Sequence, residues 1–112
     1  MKIEERDYAY VQRMIEYCDK LEAAKERFGD SYDAYINDSD YRDVVCMNIF
    51  QIGELANQIS DETQEKVGDI PWEKMYGIRN IIAHAYIQVD DRIMWETIKE
   101  DIPQLKKQLE TL

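Results

Sequence analysis

GIRNIIAHAY, residues Gly77 to Tyr86, holds the single histidine of the chain, His84, five residues after Arg79 and two before Tyr86. Upstream of it, Asp69-Ile70-Pro71-Trp72 has the form of a helix start, because a proline at the first helical position gives up an N–H that would have no intrahelical partner. The spacing predicts a helix from near Trp72 toward His84, with the quoted stretch at its C-terminal end. On that helix Asn80 and His84 are four apart and share a face. Arg79 and Tyr86, seven apart, share a neighbouring face if the helix persists.

The flanking sequence has the same period. From Glu4 to Phe28 the residues Tyr8, Val11, Ile15, Cys18, Leu21 and Phe28 recur at helical steps among charged residues, and Gly29 offers a stop. Asp30 to Ser39 reads as a short polar connection with room for one helical turn. Asp38 or Ser39 caps a second long helix, running to about Ser60, with the stripe Tyr41, Val45, Asn48 or Ile49, Ile52, Leu55 or Ala56, and Ile59. Gly53 lies inside that helix, where neither end nor turn is expected, and predicts close approach of a neighbouring helix. Asp61 to Val67 reads as a minor turn. Asp90 or Asp91 caps a fourth helix carrying Ile93, Met94, Trp95, Ile98 and Ile102, and Pro103 should kink or break it. The expected fold is all-α, an up-down bundle of four main helices in one domain spanning residues 1–112.

Composition narrows the function classes. Fourteen Lys and Arg against 24 Asp and Glu leave a formal charge of −10, so there is no general electrostatic footprint for nucleic acid and any RNA contact must be local. Cys18 and Cys46 fall at apolar helical positions and read as small core residues in a reducing compartment. Met1 is followed by KIEERD rather than by the apolar stretch of a signal peptide, and no run approaches the ~18 apolar residues of a membrane span. A cytoplasmic protein with no membrane contact is expected.

The chemistry available to the motif is limited. There is no second histidine, no cysteine close by, no phosphate-binding glycine loop, and no acid spaced with His84 like a zinc motif, so no metal or other cofactor is expected. A helix-terminal histidine satisfies the helix dipole and a tyrosine packs, so each residue alone has a structural explanation. Their clustering on one helix end is better explained by a site. An imidazole that accepts a 2′-OH proton, beside a guanidinium that steadies charge developing on phosphate, suits cleavage of RNA without a metal. One chain lacks the second acid. A two-fold dimer that joins two copies of this helix end would supply it.

Arg79, Asn80, His84, Ala85 and Tyr86 match the pattern RNxxxHxY, and the chain here resembles the HEPN superfamily. Three further blocks, Ile52-Gly53-Glu54, Ile70-Pro71-Trp72 and WETIKEDIPQL from Trp95 to Leu105, stand in the order and spacing of the HepT-like ribonuclease toxins. The resemblance covers Asp43 to Leu109 strongly and the first helix only in character. It implies an all-α homodimer with a composite, metal-independent ribonuclease site between protomers, in which Arg79, Asn80 and His84 are catalytic. It also implies the toxin half of a type VII toxin–antitoxin pair, neutralised by a minimal nucleotidyltransferase antitoxin that adds AMP to Tyr86. The sequence departs from the family at Ala85, where glycine is frequent. Glu54 is expected to support the site by pairing with Arg79. The eight tyrosines are expected to be packing and interface residues rather than a base-stacking platform, and Trp72 and Trp95 core anchors. A different class of function stays open beside the enzyme, a non-catalytic HEPN-like dimer that binds a nucleotide or a protein.

Overall fold

The computed structural model describes residues 2–112; Met1, with which the expected domain begins, lies outside the described residues. Among the described residues every regular element is helical. The helices are α1 (Glu5–Phe28), α2 (Tyr32–Ile36), α3 (Ser39–Gln58), α4 (Asp61–Lys66), α5 (Trp72–Ala85), α6 (Asp91–Glu96) and α7 (Ile102–Glu110). A 3₁₀ turn over Tyr86–Gln88 follows α5, and a π-helical stretch over Thr97–Asp101 joins α6 to α7. The helix α3 is the centre of the bundle, packed between α1 and α5, while α7 closes against α1. This is the all-α HEPN-like bundle. No described helix is long and apolar enough to cross a membrane.

Side chains at the junctions explain the boundaries. Gly29 ends α1 with φ 120°, where a side chain would be strained. Ser31 caps α2 by accepting from Ala34 N at 3.1 Å. Of the two candidate caps before α3 the structure uses Asp38, which accepts from Asp40 N at 2.9 Å and Tyr41 N at 3.3 Å. Asp90 does the same for α6, accepting from Arg92 N at 2.9 Å and Ile93 N at 3.1 Å. Pro71 sits one residue ahead of α5, where its carbonyl accepts from Met75 N at 3.1 Å.

The break near Pro103 takes the form of a widened turn. Pro103 has no N–H to give to the carbonyl four residues back, and the five residues just before α7 are wound as a π-helix in which Ile102 N donates to Thr97 O.

Two stripe positions differ from the sequence reading. Tyr8 is 46% exposed, and the buried face of α1 instead runs through Asp7, Val11, Met14, Cys18 and Leu21. Asp7 is the more informative, because a carboxylate is buried only when paired. It accepts from Ser60 N at 3.1 Å, Ser60 Oγ at 2.6 Å and Thr63 Oγ1 at 2.6 Å, tying α1 to the start of α4. Burial pushes its pKa up, but these hydrogen bonds outweigh burial and hold the carboxyl below its ordinary value. Ile93 points outward, leaving Met94 and Trp95 as the buried residues of α6.

The rest of the core follows the pattern. Tyr41 stacks on Phe28 with ring centroids 4.9 Å apart and meets Tyr35 edge-on at 5.3 Å. Trp72 is buried and donates its indole N–H to Val67 O at 3.2 Å. Cys18 and Cys46 are buried free thiols, raised by burial to about 12 and about 11.

Candidate functional site

The helix α5 approaches α3 closely because residue 53 has no side chain. A Cβ on Gly53 would overlap the Cβ of Arg79 and stand 2.7 Å from the Met75 carbonyl oxygen. The next residue on α3, Glu54, thereby reaches Arg79 and accepts from its Nε. Arg79 Nη1 donates to Asn80 Oδ1 at 2.9 Å, and the guanidinium lies 5.0 Å from the Phe50 ring centroid and 5.9 Å from that of Tyr76. A guanidinium has five N–H bonds; Glu54 and Asn80 take two, leaving three to meet a phosphate. Arg79 is therefore half-buried, aimed from two sides, and still open to an anion.

His84 lies one turn and a half further along α5, exposed, with no hydrogen-bond partner among the described residues. Asn80, four residues back, is half-buried and accepts from Arg79. The structure brings Glu54, Arg79 and Asn80 into one hydrogen-bonded unit and leaves the imidazole facing out.

Tyr86 is elsewhere than an unbroken helix would put it. The α-helix ends at Ala85, whose φ of −147° and ψ of 44° leave the helical region, and Tyr86 starts the 3₁₀ turn. That φ is negative, so alanine fits without the strain that would call for glycine. The tyrosine turns onto α3. Its hydroxyl donates to Asp43 Oδ1, and the Arg42 guanidinium lies 5.3 Å from its ring centroid. Arg42 Nη2 also donates to the carbonyls of Tyr86 at 3.1 Å and Ile87 at 3.4 Å, while its Nε donates to Asp91 Oδ1 at 3.0 Å. Partial burial and the bond to Asp43 push the phenol up to about 12. The ring borders an open cavity of about 410 Å³ between α3 and α5, floored by Cys46, Met47 and Ile82 and flanked by Phe50.

Arg42 and Asp43 are the neighbours of Tyr86 that sequence reasoning missed. Both lie more than forty residues from Tyr86 in the chain, and on a capped, acidic first turn they look like ordinary solvated charges. Their adjacency just after the Asp38 cap, at the same helix end as the Tyr41 anchor, is the one signal that could have singled them out.

The chain matches the family model described as Ribonuclease HepT-like over residues 14–112. It is 31% identical over 104 residues to the protein named "Putative RNase TTE0752" of Caldanaerobacter subterraneus subsp. tengcongensis, covering 92% of this chain and 90% of that protein. It is 37% identical over 79 residues to "Putative RNase MJ1380" of Methanocaldococcus jannaschii, covering 70% and 72% of the two chains. With "Probable ribonuclease HepT" of Thermococcus cleftensis it shares 43% identity over 61 residues, which is 54% of this chain and 56% of that one. No solved structure matches the chain. A helical bundle with this motif at the end of α5, matched to the family model from Met14 to Leu112, belongs to the HepT-like ribonuclease family.

Proposed function

We propose that this chain is the toxin of a toxin–antitoxin pair: a metal-independent endoribonuclease, active in a cleft between two copies and silenced by AMP transfer to Tyr86 from a minimal nucleotidyltransferase antitoxin. The observation that carries the catalytic part is that α5 bears an oriented, half-open guanidinium and, five residues on, an exposed imidazole. Arg79 binds the scissile phosphate and stabilises charge on its oxygens, with Asn80 and Glu54 fixing the direction of its fork. One His84 takes the proton from the ribose 2′-OH as that oxygen attacks phosphorus. The 5′-oxygen leaves with a proton from the His84 of the second copy. Imidazoles alone supply both proton transfers.

A dimer is supported by the surface beside the motif. Met47, Ile81 and Ile87 are three of the exposed large apolar side chains among the described residues, and all lie on α3 or on α5 and the turn after it. The net charge of −10 suits RNA held only at such a cleft. AMP on Tyr86 would add a phosphodiester anion two residues from His84, opposing RNA by charge and by volume. The cytoplasm is the setting in which RNA and ATP meet this chain.

Incubation of purified protein with RNA under chelator, wild type against His84→Ala, tests the reading: the wild type cuts and the variant does not. The apolar cavity beside Tyr86 favours one rival, a non-catalytic nucleotide-binding dimer, and that rival predicts no cleavage by either protein.

A further inference from the structure

The hydroxyl of Tyr86 is not free in solution but is held by a carboxylate of the same chain. Resting on the reading of Tyr86 as the AMP acceptor, we propose that Asp43 is the general base of that transfer: the chain activates its own tyrosine for modification. Three observations support this. The Tyr86 hydroxyl donates to Asp43 Oδ1, so acceptor oxygen and base are already in hydrogen-bond contact. Both residues are exposed, so a nucleoside triphosphate held by a second protein can approach the phenol oxygen. Arg42 fixes the turn from beneath, through its two bonds to the Tyr86 and Ile87 carbonyls and its position over the ring, so the phenol is presented in one orientation.

The chemistry gives Asp43 a task that solvent performs poorly. Even at the ordinary value of ~10 a phenol is almost wholly un-ionised at neutral pH, so an unassisted tyrosine is a weak nucleophile. In the assisted step Tyr86 Oη attacks the α-phosphorus of the triphosphate. The Oη–Pα bond forms, the bond from Pα to the bridging oxygen breaks, and pyrophosphate leaves with that electron pair. The phenolic proton passes to Asp43 and from there to water. Once Tyr86 is esterified, Asp43 has lost its donor and faces a phosphodiester anion.

The test uses the full chain, ATP and a minimal nucleotidyltransferase chosen because it labels the wild type. Initial rates of AMP incorporation at Tyr86 are followed by peptide mass spectrometry for wild type, Asp43→Asn and Asp43→Glu across neutral and mildly alkaline pH. The other charged or titratable groups facing the phenol are Arg42 and Cys46 on α3, with Asp91 behind Arg42, and they are the same in every variant. Asparagine keeps a hydrogen-bond acceptor but cannot take a proton. Asp43→Asn is expected to slow transfer by ~10² to 10⁴-fold, and its residual rate to rise with pH as the phenol ionises unaided, while Asp43→Glu retains much of the wild-type rate. A merely structural Asp43 would lower the rate without changing its pH slope. Asp43→Asn labelled within about threefold of wild type, or slowed with an unchanged pH profile, overturns the role of Asp43 while leaving Tyr86 as acceptor. Wild type labelled only at another residue overturns the acceptor reading and the base together. RNA cleavage is read separately and depends on neither result.

Discussion

Gly53 on α3 and Arg79 on α5 stand so close that a methyl group at residue 53 would occupy the space of the arginine Cβ. The contact places Glu54 on Arg79, and it joins the packing of the bundle to the geometry of the site.

Gly53→Ala therefore forces α5 away from α3, since the obstacles are a Cβ and a backbone carbonyl rather than the far end of a flexible chain. Overpacking of this kind costs about 1–3 kcal/mol, or roughly 4–8 °C in Tm for each kcal/mol in a domain near this size. Thermal melting reads the loss. RNA cleavage should fall further than the stability change explains, because Arg79 is displaced with the helix.

Glu54→Gln separates orientation from stability. The pair with Arg79 is part exposed, so removing its charge should alter folding by under about 1 kcal/mol. Misdirection of the guanidinium should lower kcat for RNA by ~10 to 10²-fold. Denaturant unfolding beside single-turnover cleavage checks both, and an unchanged cleavage rate would show that Arg79 does not depend on Glu54.

Asp7 predicts an acid weakness. Its folded-state pKa is depressed, so its contribution is fully present above the ordinary carboxylate value of ~3.9 and is lost as pH falls through the lower folded value. Asp7→Ala strands the Ser60 and Thr63 donors and should cost about 2–4 kcal/mol at neutral pH, given three charge-assisted hydrogen bonds. Unfolding curves from pH 7 downward should show the difference between wild type and variant shrinking only in the acid range.

The apolar surface beside the motif predicts association. Sedimentation at ~10 μM should give a dimer, and Ile81→Glu, placing a charge at a half-exposed apolar position, should weaken it by roughly 10- to 100-fold in Kd, the equivalent of losing one buried isoleucine. A wild-type monomer at that concentration would remove the source of the second histidine.

Much of the architecture was legible because helical boundaries are local. Asp38, Asp90, Gly29 and Pro103 each punctuate the chain through their own backbone chemistry, and Gly53 marked the close approach without any knowledge of its partner. What was not legible depends on contacts distant in sequence. Asp7 went unremarked among the charged residues of α1 because its partners, Ser60 and Thr63, lie more than fifty residues on, and tertiary hydrogen bonds override the apolar rule there. The motif could be read as a string, but not the turn at Ala85 that takes Tyr86 off the α5 helix and onto Arg42 and Asp43.

The most direct test of the catalytic proposal is the chemistry of the RNA ends. Attack by a 2′-oxygen with proton transfer through two imidazoles leaves a 2′,3′-cyclic phosphate on one fragment and a 5′-hydroxyl on the other. Wild type under chelator should produce those ends. His84→Ala should lower the rate by ~10² to 10⁴-fold with its circular dichroism unchanged, since a helix-terminal imidazole contributes at most ~2 kcal/mol to folding. Fragments ending in 3′-hydroxyl and 5′-phosphate, or His84→Ala cutting at the wild-type rate, would contradict it.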